Sequence, residues 1–181
     1  AAVAVARLDA DGVGRLVGAR LGGAKLGAGP QLRLGPVRVG EWLRTTGRGM
    51  SGLAAAHEAT IELDLPPGLP VLNADGDRLT RALENLLRNA LQNGARRIPV
   101  LVGQDEETLA IEVRDDGSGL ELPAAGEMPL AEVIARLRTT GSHGIGLQVV
   151  ERVVQLHGGS AAASARKGGG FGVRLSLPRL G

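Results

Sequence analysis

Between Asp77 and Gly94 the apolar residues Leu79, Ala82, Leu83, Leu86, Leu87, Ala90 and Leu91 recur at i, i+3, i+4 and i+7, the strongest constraint on the fold of this 181-residue chain. Such spacing puts one apolar stripe on a helix, so the helix, expected from Arg78 to about Asn93, needs a surface to lie on. The segments that follow supply it. Arg97 to Val102 and Thr108 to Asp115 alternate apolar and polar side chains as half-buried strands do, joined by the polar turn Gly103-Gln104-Asp105-Glu106-Glu107. Asp77 is the expected N-cap of the helix and Gly94 its stop.

The flanks extend this pattern. Arg33 to Val39 reads as a short edge strand and Glu41 to His57 as a helix carrying Trp42, Leu43, Met50, Leu53 and Ala54. Thr60 to Leu65 turns Ile61, Leu63 and Leu65 inward, and Val71-Leu72-Asn73 is a brief strand. On the far side, Ile145 to His157 forms a helix stopped by Gly158-Gly159. Ser160 to Arg166 and Phe171 to Leu177 then form a hairpin around Lys167-Gly168-Gly169-Gly170. Residues 120 to 140, with Pro123, Gly126 and Pro129 and one helical segment from Leu130 to Leu137, read as a mobile lid. Mixed strands and helices with antiparallel hairpins make an α+β two-layer sandwich. The Gly-rich stretch from Gly12 to Pro30 is expected to be a flexible connection, with the folded domain spanning 31–181.

Composition narrows the chemistry. A chain with 43% hydrophobic residues can bury one real core. Its pI of 9.9 sits beside a formal charge of only +2 because nearly all its basic residues are arginines and it has no Tyr or Cys. Acidic residues are interspersed with the arginines and the only aromatics are Trp42 and Phe171, so no nucleic-acid surface is expected. The absence of cysteine excludes disulfides and thiolate chemistry, and the scattered His57, His143 and His157 lack metal-ligand spacing. An intracellular, cytoplasmic setting fits. The chain lacks a leader, an apolar run of membrane-spanning length and a start Met, and reads as a piece of something longer.

Two glycine clusters carry the chemistry. Asp115-Asp116-Gly117-Ser118-Gly119 ends a strand, where a carboxylate can accept a hydrogen bond from an exocyclic amine while glycines let backbone approach a ligand. Gly141-Ser142-His143-Gly144-Ile145-Gly146-Leu147 opens a helix whose unpaired N–H groups suit phosphate. On the long helix, Asn85 and Asn89 lie four residues apart on one polar stripe, although asparagine is a poor helix former. An amide oxygen there can complete the shell of a Mg²⁺ that otherwise takes ligands from phosphates and water.

These residues resemble the motifs of the sensor histidine kinases, within the gyrase, Hsp-type chaperone, histidine kinase and MutL superfamily. Asp77-x-Leu79 with Asn85-Leu86-Leu87-Arg88-Asn89-Ala90 resembles the N box, Asp115-x-Gly117-x-Gly119 the G1 box, and Gly141-x-x-Gly144-x-Gly146-Leu147 the G2 box. Gly168-Gly169-Gly170-Phe171 with Leu177-Pro178 resembles the last glycine box and closing strand. The resemblance spans residues 31 to 179. It implies the Bergerat ATP-binding fold, a mixed sheet with helices on one face and ATP between the N-box helix and a lid. It also implies that Asp115 binds the adenine amine, Gly117 and Gly119 shape the base pocket, Asn89 ligates Mg²⁺ and Asn85 lines the same site. Gly141, Gly144, Gly146 and Leu147 then lie at the phosphates.

Departures from the family pattern sharpen the expectation. Gln92 replaces a lysine often found three residues after the metal asparagine, and Arg136 and Arg138, in a degenerate F box, are the candidates to restore that charge. Superfamily members that hydrolyse ATP carry a carboxylate where this chain has Asn85. Glu84 is one residue away, about 100° around the helix, so negligible ATPase activity is expected. His57-Glu58 lacks the family's Thr/Asn-Pro ending, and Ala6-Arg7-Leu8-Asp9-Ala10 resembles the end of a dimerisation helix. Residues 1–30 are therefore expected to be the end of that helix and a linker, with the phosphoacceptor histidine on a separate domain of the same protein. The fragment is expected to be monomeric and unable to autophosphorylate, the full-length protein a homodimer, possibly membrane-anchored, with a response regulator as partner. The alternatives are a serine kinase of anti-sigma type and a degenerate, non-catalytic interaction module.

Overall fold

The computed structural model describes residues 31–118, 126–139, 144–165 and 169–179. The chain divides into two units, Ala1–Gln31 and Leu32–Gly181. The first, with the expected linker and helix end, lies almost wholly outside the described residues.

In the second unit the elements run β1 (Gly35–Arg38), α1 (Val39–Ala56), β2 (Thr60–Asp64), β3 (Val71–Ala74), α2 (Gly76–Gln92), β4 (Arg97–Gln104), β5 (Thr108–Arg114), β6 (Met128–Pro129), α3 (Leu130–Thr139), α4 (Ile145–Leu156), β7 (Ser160–Ala165) and β8 (Phe171–Pro178). The main sheet is six-stranded in the order β2-β4-β5-β8-β7-β6, and β1 pairs with β3 in a separate two-stranded sheet. β2 and β4 are parallel, with Ile61 opposite Ile98, and the other neighbours in the main sheet are antiparallel. A parallel pair needs a crossover connection, and α2 lies within it.

The expected α2 stripe is the core. Leu79, Ala82, Leu83, Leu86, Leu87, Ala90 and Leu91 are all buried, in one cluster with Ile98, Val100, Leu109, Ile111, Val113, Val173 and Leu175 of the sheet. Helices cover one face of the sheet. On the other, Glu112 pairs with Arg114 at 2.6 Å, and Arg174 with Glu127 at 3.0 Å.

The helix ends correct one expectation. The N-cap of α2 is Asp75, not Asp77: its Oδ1 accepts the Arg78 N–H at 3.1 Å, while Oδ2 accepts the Arg33 N–H at 2.9 Å and Arg78 Nε at 3.1 Å. Asp75 is buried and Asp77 exposed, so Asp75 alone meets backbone groups that water cannot reach. His157 joins this hub by accepting the Asp75 N–H at Nε2 (3.0 Å), and its Nδ1–H donates to the Val153 carbonyl at 2.7 Å. These contacts tie the end of α4 to the start of α2. At its other end α2 closes on Gly94 (φ +76°), with Ala95 N–H returning to the Ala90 carbonyl at 3.1 Å.

The stretch expected to be a mobile lid is partly built into the fold. Met128–Pro129 pairs with β7, and α3 runs to Thr139 with Leu130, Val133 and Ile134 buried. A two-residue strand carries no periodicity that the sequence could reveal.

Candidate functional site

The Asp115 loop is clamped by main chain from two sides. Asp115 is buried, its N–H donates to the Phe171 carbonyl at 2.9 Å, and its Oδ1 accepts the Gly117 N–H at 2.9 Å in a tight turn. A Cβ at Gly117 would lie 2.5 Å from the Asn93 carbonyl oxygen, and one at Gly170 would lie 2.1 Å from that of Asp115. Both positions therefore require glycine, Gly117 to seat the loop on the end of α2 and Gly170 to let the start of β8 pass beneath it. Ser118 N–H completes the seat by donating to the Asn93 carbonyl at 2.9 Å.

Asn85 and Asn89 occupy the α2 face that continues from this loop, and both are half-buried. The Asn85 amide donates to the Arg81 carbonyl at 2.7 Å. Its Oδ1 would stand 3.2 Å from a Cβ at Gly146, so α4 approaches α2 at its first turn. Glu84 points elsewhere: it lines a cleft with Trp42, Thr45 and Thr80, where Trp42 Nε1–H donates to Thr80 Oγ1 at 2.9 Å. The one-residue offset thus places it on the α1 side of the helix.

Gly144 begins α4 with φ +50°, without a side-chain cap and without an acidic residue in the first turn. The first N–H groups of a helix have no partner within it, and with the helix dipole they favour an anion. Leu147 belongs to this turn, but its side chain is buried in the core; only its backbone N–H is available to a phosphate. α3 ends beside the same turn, with a Leu137 methyl 3.3 Å from the Cβ position of Gly144. Arg136 and Arg138 occupy the last turn of α3. Arg136 pairs with Glu132 at 3.0 Å, whereas Arg138 is exposed and has no ion pair among the described residues.

Asn85 thus meets Gly146, Gly117 meets Asn93 at the end of α2, and Leu137, between Arg136 and Arg138, meets Gly144, which brings α2, the β5 end, α3 and α4 together; Asn89 lies on α2 between Asn85 and Asn93, and Leu147 in the first turn of α4. Gly119 and Gly141 lie outside the described residues. Two contributors were not among the candidate site residues expected from the sequence. Asp116 Oδ1 accepts the N–H groups of Arg96 and Arg97 at 2.8 and 2.9 Å, and Gly170 supports Asp115 from below. The Arg97 N–H holds the exposed Asp116 carboxyl below the usual range, with slight desolvation opposing and the Arg96 N–H assisting. The Gly168–Gly170 cluster was the available signal for Gly170; none marked Asp116.

Comparisons with known proteins agree with this architecture. Residues 74–181 match the family described as histidine kinase-, DNA gyrase B-, and HSP90-like ATPase. The sensor histidine kinase MtrB of Mycobacterium tuberculosis (strain ATCC 25618 / H37Rv) is 34% identical over 147 residues, 76% of this chain and 26% of MtrB. The sensor histidine kinase WalK of Bacillus subtilis (strain 168) is 30% identical over 151 residues, 76% of this chain and 24% of WalK. The chain therefore spans only a quarter or so of such relatives. Among solved structures, full-length ShkA in complex with AMPPNP superposes with a TM-score of 0.70 at 26% identity, covering 83% of this chain and 32% of that one. The ATP binding domain of PrrB from Mycobacterium tuberculosis superposes at 0.65 and 23% identity, covering 82% and 98%, and shares the fold. No helix of the described residues is long and apolar enough to cross a membrane. With the α2 asparagines, the Asp115 turn and the uncapped α4 set in one contiguous arrangement, the chain belongs to the histidine kinase-, DNA gyrase B- and HSP90-like ATPase family, as an ATP-binding domain of the sensor histidine kinase kind.

Proposed function

We propose that this domain holds Mg-ATP between α2 and the segment bearing α3, and presents the γ-phosphate to a histidine on a separate helical domain of the same protein. The observation that carries the reading is the meeting of Asn85 with Gly146, which joins the asparagine stripe to an uncapped helix start. Asp115 accepts the adenine amine, Gly117 and Gly119 line the base, and Gly141, Gly144, Gly146 and the Leu147 N–H face the phosphates. Asn89 fits a Mg²⁺ as a single neutral oxygen ligand, the kind that ion combines with phosphates and water. Once bound, the ion neutralises phosphate charge. Arg138, free of an ion pair among the described residues, is better placed than Arg136 to replace the lysine that Gln92 lacks.

The chemistry is transfer rather than hydrolysis. The imidazole nitrogen forms a bond to the γ-phosphorus as the bond to the ADP oxygen breaks, and the protein contributes position and charge. Glu84, turned towards Trp42 and Thr80, has no route to orient an attacking water. The reading also entails a cytoplasmic setting, a full-length homodimer and a response regulator that receives the phosphoryl group.

The test is to incubate the chain with Mg-ATP and a histidine-bearing helical acceptor domain. Acid-labile phosphate on the acceptor, none on the chain alone and negligible phosphate release are expected. Sustained ATP hydrolysis without transfer contradicts the proposal.

A further inference from the structure

Asp115 is followed at once by a second aspartate whose carboxylate bonds outside the site. Asp116 Oδ1 spans the N–H groups of Arg96 and Arg97, at 2.8 and 2.9 Å, where the chain enters β4. The rest of the Asp115–Ser118 loop is seated mainly by backbone: Asp115 N–H on Phe171, Ser118 N–H on Asn93, and the Gly170 main chain beneath the Asp115 carbonyl. These contacts fix where the loop sits. The Asp115 carboxylate is itself turned towards the loop by the Gly117 N–H, which donates to its Oδ1 at 2.9 Å, so its aim follows the path of the turn from Asp115 to Gly117. The pair of hydrogen bonds that Asp116 Oδ1 accepts from the Arg96 and Arg97 N–H groups ties that turn to the start of β4. A carboxylate bonded to two N–H donors is held at a fixed angle, and hydrogen bonds to a charged acceptor are among the stronger ones available.

We propose that Asp116 is a positioning residue for base recognition: by bonding the Arg96 and Arg97 N–H groups it holds Asp115 at the angle needed to accept the exocyclic amine, and so contributes to selectivity for adenine over purines without that amine. The inference rests on the nucleotide reading given above and deepens it. Asp116 itself touches no ligand. Its carboxyl is also held ionised by the same N–H groups, with the Arg97 guanidinium adding a smaller attraction.

The test compares binding of Mg-ATP and of purine riboside triphosphate, whose ring carries hydrogen in place of the amine, by calorimetry of the whole chain. The wild type is expected to prefer ATP by about tenfold or more, the scale of one hydrogen bond to a charged acceptor. Asp116→Ala is expected to bind ATP about tenfold more weakly while binding the analogue as the wild type does. Asp116→Asn, whose amide oxygen accepts the same N–H groups, retains the preference. If Asp116→Ala melts below the assay temperature, Asp116→Leu, of similar shape but without an acceptor, takes its place with the same expectations. Equal weakening of both ligands would show a general disturbance and overturn the inference, as would full retention of the preference in Asp116→Ala. If the wild type itself binds both triphosphates alike, the pairing of Asp115 with the amine fails first and takes this inference with it. A wild type that prefers ATP beside an equally selective Asp116→Ala removes the Asp116 role alone.

Discussion

A methyl group at position 117 has no space to occupy. Its carbon would stand 2.5 Å from the Asn93 carbonyl oxygen, 3.0 Å from the Asn93 carbonyl carbon and 3.2 Å from Ala95 N, all of them main chain. Carbon against a carbonyl oxygen needs about 3.3 Å even in a favourable C–H···O contact, so the loop must retreat by roughly 1 Å. That stretches the 2.9 Å bond from Ser118 N–H to the Asn93 carbonyl past any useful length. The lost bond costs about 1 kcal/mol and the residual overpacking about 1–3 kcal/mol, giving a destabilisation of roughly 2–4 kcal/mol for Gly117→Ala. At about 2–4 °C per kcal/mol, the melting temperature falls by roughly 4–16 °C. Denaturant and thermal unfolding measure this, with Gly103→Ala as control, because a Cβ there meets nothing within 4 Å. The control should stay within about 0.5 kcal/mol of the wild type. If Gly117→Ala melts with the wild type, the loop does not sit on the end of α2 and the site as described is wrong.

Other perturbations follow from the same contacts. Gly146→Ala adds a helix-favouring methyl, worth about 1 kcal/mol, that presses on Asn85 Oδ1 at 3.2 Å; the melting temperature should hold or rise while calorimetric ATP affinity falls. Asp75→Ala removes the α2 cap and strands the Arg33 N–H, costing about 2–4 kcal/mol by urea unfolding. Burial pushes the Asp75 carboxyl up, but the N–H groups of Arg33 and Arg78 and the Arg78 guanidinium outweigh it and hold it below the ordinary range. Its stabilising contribution is therefore complete above about pH 4 and is lost as pH falls through the depressed value, so Asp75→Asn should flatten the acid limb of the stability profile. Glu84→Ala should leave ATP affinity unchanged by calorimetry, because Glu84 faces the Trp42 cleft.

Periodicity made the secondary structure legible. The α2 stripe and the alternation in β4, β5 and β8 name their own buried faces, because burial on one side forces a repeat of 3.6 or 2. Pairing between segments distant in the chain leaves no such trace. The parallel partnership of β2 with β4, the separation of β1 and β3 into their own sheet and the two-residue β6 all come from tertiary contacts. The site divides the same way. Asn85 and Asn89 could be named as candidates from the sequence because asparagine is a poor mid-helix residue, and Asp115 because glycines follow it at the end of a strand. The choice of Asp75 over Asp77 as cap depended on burial, and the reach of Asp116 to Arg96 and Arg97 on a contact across 19 and 20 positions. Glu84 shows the converse, since helix geometry alone placed it on the other side of α2.

The most direct test of the central claim is calorimetric titration of the chain with ATP, with and without Mg²⁺, beside Asp115→Ala and Asn89→Ala. Micromolar binding, abolished in Asp115→Ala and made insensitive to Mg²⁺ in Asn89→Ala, is the predicted result; the range of about 1–100 μM corresponds to roughly 5–8 kcal/mol of binding free energy. A folded wild-type chain that binds no ATP would contradict the account.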